Sequence, residues 1–84
     1  MTVLARVKTA LRNVSPSGGV PGELSVKVVK GGVQVILQSK LRDGRNWFNV
    51  TEFRIRDSEK HIQSTWECLC YRHRADVARE NGPT

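Results

Sequence analysis

Residues 23–56 read ELSVKVVKGGVQVILQSKLRDGRNWFNVTEFRIR and carry the clearest structural signal in the chain. Apolar and polar residues alternate through most of this stretch, which is the period of a β-strand with one buried face. The alternation is interrupted at Gly31-Gly32 and at Asp43-Gly44, and such dipeptides are typical of tight hairpin turns. The pattern therefore predicts an antiparallel meander of three strands. Their expected bounds are 23–30, 33–41 and 46–56.

Aliphatic side chains fall on one face of each of the first two strands. They are Leu24, Val26 and Val28 in the first strand and Val33, Val35 and Leu37 in the second. Residues two apart on a strand point to the same side of the sheet, so these side chains are expected to form its buried face.

The third strand does not keep a simple alternation. Phe48 and Val50 suit one face, whereas Trp47, Phe53 and Ile55 suit the other. Either a β-bulge near residues 50–52 shifts the register, or both faces of the sheet are partly covered. If Phe53 and Ile55 point inward, polar and basic side chains occupy the outer face. That face would then carry Lys27, Gln34, Gln38, Lys40, Arg54 and Arg56.

Residues 2–13 predict a short helix that precedes the meander. Val3, Leu4, Val7 and Leu11 recur at helical spacing, and Thr2 is a suitable N-cap. Residues 14–22, which hold two prolines and three glycines, predict a loop instead. This loop is either a crossover strapped over the domain or a flexible connection to the first helix.

Residues 58–80 predict a second, longer helix that follows the meander. An apolar stripe continues for about four turns, and the sequence Asn81-Gly82-Pro83 is a strong helix stop. The stripe consists of Ile62, Trp66, Leu69, Cys70, His73 and Val77. The alternative is a strand over residues 61–71, because apolar and polar residues also alternate there.

Together these segments predict one small α+β domain over residues 1–84. It would contain an N-terminal helix, a three-stranded antiparallel β-meander and a C-terminal helix packed on the apolar face of the sheet. A four-stranded meander with a strand at 61–71 is the alternative fold. The order of helix, three strands and helix resembles that of double-stranded-RNA-binding domains. However, Ser58-Glu59-Lys60-His61 lacks the lysine cluster of that family, so no family is assigned from the sequence.

The charge of the chain predicts a polyanionic partner. The formal net charge is +6, and the excess lies in residues 1–57. Basic surfaces attract nucleic acids mainly through phosphate contacts. The sequence therefore predicts a small non-enzymatic protein that binds DNA or RNA. The expected contacts come from the sheet face and the second turn, with the first helix as a mobile basic arm. They are Lys27, Lys40, Arg42, Arg45, Arg54 and Arg56, together with Arg6, Lys8 and Arg12.

The alternative function is that of a protein-binding inhibitor or adaptor. It would act through Trp66 and Leu69 of the last helix or through a sheet edge, and the basic face would match an acidic protein partner. A domain of 84 residues has a small core, which supplies only about 3–5 kcal/mol of stability. A homodimer is therefore a further expectation.

Other function classes have little support in the sequence. No nucleophile motif, catalytic carboxylate pair or glycine-rich phosphate loop occurs, so no enzyme activity, catalytic residue or cofactor is predicted. Cys68 and Cys70 diverge on a helix, which argues against a metal site. No apolar stretch reaches the ~20 residues that span a bilayer, and no signal peptide is recognisable. The expected location is the cytoplasm, or the nucleus of a eukaryote, and the protein is not expected to be secreted.

Overall fold

The structure, a computed structural model, describes residues 2–14 and 23–82. The predicted order of helix, three strands and helix is confirmed, and the fold is α+β. The expected loop at 14–22 lies outside the described residues, apart from Val14. The elements are α1 (Val3–Asn13), β1 (Glu23–Val29), β2 (Gly32–Lys40), β3 (Asn46–Arg54) and α2 (Glu59–Glu80).

The three strands form one antiparallel sheet in the order β1-β2-β3. The register of β2 and β3 runs without interruption from the pair Gly32–Arg54 to the pair Lys40–Asn46, so the bulge that the sequence left open does not occur. Phe53 is buried on the inner face of the sheet, while Phe48 and Val50 are exposed on the opposite face. Ile55 lies beyond the strand and is also exposed, contrary to its expected inward position.

The β1–β2 turn requires both of its glycines, for different reasons. Gly31 has a φ of +84°, in the left-handed region that glycine adopts most readily. Gly32 lies so close to β3 that a Cβ atom there would be 1.9 Å from the carbonyl oxygen of Phe53. The backbone N–H of Ile55 donates to the carbonyl oxygen of Gly31 at 3.1 Å, which ties the end of β3 to this turn.

Both helices begin with a side-chain N-cap, and the cap of α1 is Thr2, as the sequence predicted. The Thr2 hydroxyl accepts from the Ala5 N–H at 3.1 Å, and the Ser58 hydroxyl accepts from the His61 N–H at 3.0 Å. α2 continues unbroken to Glu80, so the alternative strand at 61–71 is not formed. Its predicted apolar stripe is confirmed, because the following residues are buried: Ile62, Trp66, Leu69, Cys70, His73 and Val77.

The core lies between the two helices and the inner face of the sheet. α1 packs against α2 and against β2 and β3, and its Val7 is fully buried. The indole Nε1 of Trp66 donates to the carbonyl oxygen of Val14 at 2.9 Å, which holds the end of α1 against α2. The first helix, which the sequence predicted to be a mobile basic arm, is therefore packed against the rest of the domain. Neither helix is long and apolar enough to span a membrane, as judged over the described residues.

The apolar stripe of β1 is not buried, contrary to the sequence prediction. Leu24, Val26 and Val28 share the inner face with Val33, Val35 and Leu37, but they are 40%, 37% and 65% exposed. The reason is that α1 and α2 lie over β2 and β3. β1 is thus an edge strand whose helix-side face remains accessible.

A buried polar contact joins the sheet to α2. The Ser39 hydroxyl lies 2.6 Å from Nε2 of His73, and both residues are buried. The Trp47 ring stands edge-on to the His73 ring, and its Nε1 donates to Asp76 at 3.1 Å. Because neither Ser39 nor His73 is accessible, this serine–histidine pair stabilises the position of α2 on the sheet.

Candidate nucleic-acid interface

The outer face is the side of the sheet that points away from both helices. Its centre is apolar, since Ile36 is half-buried while Val50 and Phe48 are 45% and 57% exposed. Polar and basic side chains surround this centre, as the sequence predicted, although Arg56 lies beyond the end of β3. The face comprises Glu23, Ser25, Lys27, Val29, Gln34, Ile36, Gln38, Lys40, Asn46, Phe48, Val50, Glu52 and Arg54.

Four basic residues gather around the β1–β2 turn and are here called the basic end: Lys27, Lys30, Arg54 and Arg56. Strand register brings them together, because Gly32 of the turn lies opposite Arg54 on β3. Lys27 stands one same-face row further along the sheet, about 12 Å from Arg54 by strand spacing. All four are exposed, and a shallow depression of about 270 Å³ is lined by Gly31, Arg54, Ile55 and Arg56.

The basic end carries no ion pair within the described residues. The salt bridges among the described residues lie elsewhere in the protein and involve Arg45 and Arg79. The nearby Asp57 accepts the backbone N–H of Arg54 at 2.8 Å and does not bridge its guanidinium. Guanidinium and ammonium groups that make no ion pair can bind phosphate oxygens. Glu52 is the acidic neighbour of Arg54 on the outer face.

The β2–β3 turn at the other end of the sheet is electrically compensated. Arg45 is held by Asp43 and by Glu80, the latter at 2.8 Å. Hydrogen bonds to Glu80 and then Asp43 raise the pKa of Arg45, while those from the backbone N–H and guanidinium of Arg45 lower the pKa of Asp43. The carboxylates thus occupy the guanidinium that the sequence analysis assigned to phosphate.

Arg42 in the same turn contacts the end of α2. Its backbone N–H donates to Oδ1 of Asn81 at 2.9 Å, and its guanidinium donates to the Asn81 carbonyl at 3.1 Å. These bonds dock the turn onto the helix. Lys40 lies nearby on the outer face and is exposed.

The basic residues of α1 divide between two environments. The guanidinium of Arg6 donates to the carbonyl oxygen of Ile55 at 2.8 Å, so its charge lies directly behind the basic end. Its Nε is buried and has no hydrogen-bond partner among the described residues. Lys8 and Arg12 are exposed on α1, which covers the inner side of the sheet, and they are not part of the outer face.

The residues of the alternative partner-binding site are inside the core. Trp66 is fully buried and Leu69 is 5% exposed, so neither side chain presents a surface to another protein. The exposed aromatic residue of α2 is Tyr71, at 74%. The stripe that suggested a docking helix instead packs α2 within the domain itself.

Lys30 is the one residue of the basic end that the sequence did not predict as a phosphate contact. It precedes the turn and lies far from Arg54 in the chain, so only the register of the strands brings it into the group. The Ser39–His73 contact was also missed, because it depends on how α2 crosses the sheet. A basic residue directly before a predicted Gly-Gly turn is a signal that would have included Lys30.

No metal-binding cluster is found in the part of the chain that the structure describes, where no three His, Cys, Asp or Glu side chains are grouped to hold an ion. Comparisons with known protein families, curated proteins and solved structures found no match to this chain.

Proposed function

We propose that this protein binds nucleic acid, without catalysis, through the basic end and the adjoining outer face. The observation that supports the proposal most directly is the contrast between the two ends of the sheet. Carboxylates hold Arg45 at one end, where Arg42 is bonded to Asn81 and Lys40 has no ion pair, while all four basic side chains at the other end have no ion-pair partner within the described residues. Arg6 adds a further positive charge behind them.

The chemistry of the outer face suits this role. Arg54 and Arg56 offer planar guanidinium groups that can hold phosphate oxygens with two parallel hydrogen bonds. An antiparallel sheet can lie in the major groove of a duplex. The exposed ring of Phe48 offers a stacking surface to an unpaired base, and Ile36 and Val50 extend this apolar surface.

The number of phosphate contacts predicts a salt dependence. Four cations at the basic end correspond to a slope of log K against log salt of about −3.6 for a B-form duplex and about −2.8 for a single strand. The measurement is binding of the purified protein to labelled double- and single-stranded DNA and RNA over a salt series. The strongest of the four ligands identifies the class of nucleic acid.

A matched pair of double variants tests whether the basic end is the binding surface. Arg54→Glu/Arg56→Glu and Arg72→Glu/Arg74→Glu both reverse two exposed arginines spaced two apart, and both change the net charge from +6 by four units to +2. Arg72 and Arg74 lie on α2, on the other side of the sheet. The loss of two charge-assisted hydrogen bonds of about 1.5 kcal/mol each predicts binding about 100-fold weaker for the first variant.

The outcomes of this comparison are distinct. The proposal expects the Arg54/Arg56 variant to lose affinity and at least about 1.8 of the salt slope on a B-form duplex, or about 1.4 on a single strand, while the Arg72/Arg74 variant loses little of either. Equal losses in the two variants would mean that only net charge matters and would refute the basic end as the site. Absence of binding to all four ligands at low salt would refute nucleic-acid binding altogether.

The conservative variant Glu52→Gln tests how the acidic residue beside Arg54 affects binding. Glu52 lies on the outer face beside Arg54 and repels phosphate at close range. Glu52→Gln is therefore expected to tighten binding at low salt, and this gain should shrink as salt rises because screening weakens the repulsion. An unchanged affinity would place the bound phosphates away from this part of the outer face.

A further inference from the structure

The edge of the sheet at β1 combines two features that are rarely left together in a monomer. No strand among the described residues pairs with the outer side of β1, so every second residue along this seven-residue strand directs an unpaired backbone N–H and C=O outward. Beside this edge lie Leu24, Val26 and Val28, which remain exposed because the helices cover β2 and β3. An edge strand with an apolar stripe favours the addition of another strand.

We propose that this strand is the interface of a homodimer, in which β1 pairs antiparallel with β1 of a second copy. The two-fold axis passes at Val26 and is perpendicular to the sheet, so two three-stranded sheets become one six-stranded sheet. A contact of this kind is isologous, because the same surface serves both copies. It goes beyond the proposed nucleic-acid binding and does not depend on it.

The pairing register follows from the sequence of β1. With Val26 opposite the partner's Val26, Leu24 lies opposite the partner's Val28, and Val28 opposite the partner's Leu24. Directly opposite residues point to the same face of a sheet, so all six aliphatic side chains form one continuous stripe on the helix side. A shift by one residue would place this stripe opposite polar side chains.

The charges of β1 are complementary in the same register. Lys27, on the outer face, lies opposite the partner's Ser25 and diagonal to the partner's Glu23. The symmetric arrangement creates two Glu–Lys diagonals and one Lys–Lys diagonal, all at similar separations. Attraction therefore exceeds repulsion, and the lysine that would discourage pairing with an unrelated strand fits its own copy.

The opposite edge of the sheet, at β3, also exposes apolar side chains, but Phe48 and Val50 lie on its outer face, and its inner face has no exposed apolar stripe among the described residues. The inner-face aromatic residues of β3 are already covered, since Phe53 is buried and Trp47 is held by Asp76 of α2. Pairing through β3 would add backbone hydrogen bonds but little apolar burial on that side. The unburied stripe of β1 thus distinguishes one edge from the other.

The test uses charge substitutions at the self-opposed position. Val26→Lys and Val26→Glu each place like charges directly opposite one another across the two-fold axis, and an equimolar mixture places Lys opposite Glu. Sedimentation velocity, run from about 1 to 500 μM to include the weak affinity of a small interface, compares each sample with the 9.4 kDa monomer. Far-UV circular dichroism confirms that each variant is folded.

The proposal expects a concentration-dependent dimer for the unaltered protein, monomers for either variant alone, and a restored dimer in the mixture. Val50→Lys is the matched control, because it replaces a similarly exposed valine on β3 and should leave the dimer intact. A monomer at every concentration of the unaltered protein would overturn the proposal. So would a dimer that persists in folded Val26→Lys, or one that is abolished equally by Val50→Lys.

Discussion

The two glycines of the β1–β2 turn are expected to respond very differently to alanine. A Cβ atom at Gly31 meets nothing within 4 Å, so Gly31→Ala suffers only from its left-handed backbone, at a cost of about 1–2 kcal/mol. A Cβ atom at Gly32 would lie 1.9 Å from the Phe53 carbonyl oxygen and 3.1 Å from the Arg54 Cα. Both of these atoms belong to backbone, which cannot rotate aside as a side chain can.

The size of the Gly32→Ala effect follows from what must move. Relief of the contact requires β3 to separate from β2 where Phe53, which is 2% exposed, fills the core. Loss of the packing of a buried phenylalanine costs about 3–5 kcal/mol. The small core of an 84-residue chain supplies only about 3–5 kcal/mol of stability, so Gly32→Ala is expected to lose most of it.

Urea unfolding followed by circular dichroism measures the difference. With a slope of about 1 kcal/mol per molar urea, Gly31→Ala should lower the midpoint by about 1–2 M and Gly32→Ala by about 3 M or more. Gly31→Ala should also leave the proposed nucleic-acid binding unchanged, because Arg54 keeps its place. Equal midpoints for the two variants would refute the argument that close approach of the strands, and not the turn conformation, makes Gly32 necessary.

Two further predictions concern buried groups. Ser39→Ala removes the hydroxyl that lies 2.6 Å from Nε2 of His73 and should lower the free energy of unfolding by about 1–3 kcal/mol. The control Ser25→Ala, on the exposed outer face, should change the free energy of unfolding by less than about 0.5 kcal/mol. Equal effects of the two variants would show that the buried contact adds no stability. Burial raises the pKa of Cys70 to about 11, so at pH 8 only about 0.1% of this thiol is ionised, and Ellman's reagent should titrate exposed Cys68 rapidly and Cys70 only after unfolding. Rapid reaction of two thiols in the native protein would contradict the burial of Cys70. Because the ordinary pKa of a cysteine thiol is 9.0, Cys70 loses its proton at lower pH in the unfolded chain than in the native protein. The free energy of unfolding should therefore fall as the pH rises from 9.0 to about 11.

The elements of this fold could be predicted from the sequence because they depend on near neighbours. Thr2 and Ser58 cap helices by bonding an N–H three residues away. The Gly31-Gly32 turn and the alternation on either side of it act over a similar range. The apolar stripe of α2 correctly separated helix from strand, since the period of 3.6 residues continued over the full length of the segment.

The candidate site was predicted only in part, because charges are neutralised by residues distant in sequence. Arg45 and Arg54 are both exposed arginines near turns, and their sequence surroundings do not distinguish them. Arg45 meets Glu80, 35 positions away, where α2 returns to the β2–β3 turn. Lys30 approaches Arg54 through the strand register. The net charge of the chain thus predicted a basic surface, while the packing of α2 determined that Arg45, and not Arg54, is paired with a carboxylate distant in sequence.

Alternation along a strand is a local property, so the sequence alone predicts that Leu24, Val26 and Val28 share a face of the sheet with the core residues of β2. The exposure of these three side chains depends on tertiary packing, because the two helices are wide enough to cover β2 and β3 but leave β1 beyond them. The same is true of Trp66 and Leu69, whose burial depends on where α2 lies. Local sequence sets which way a side chain points, and the placement of whole elements sets what, if anything, it meets.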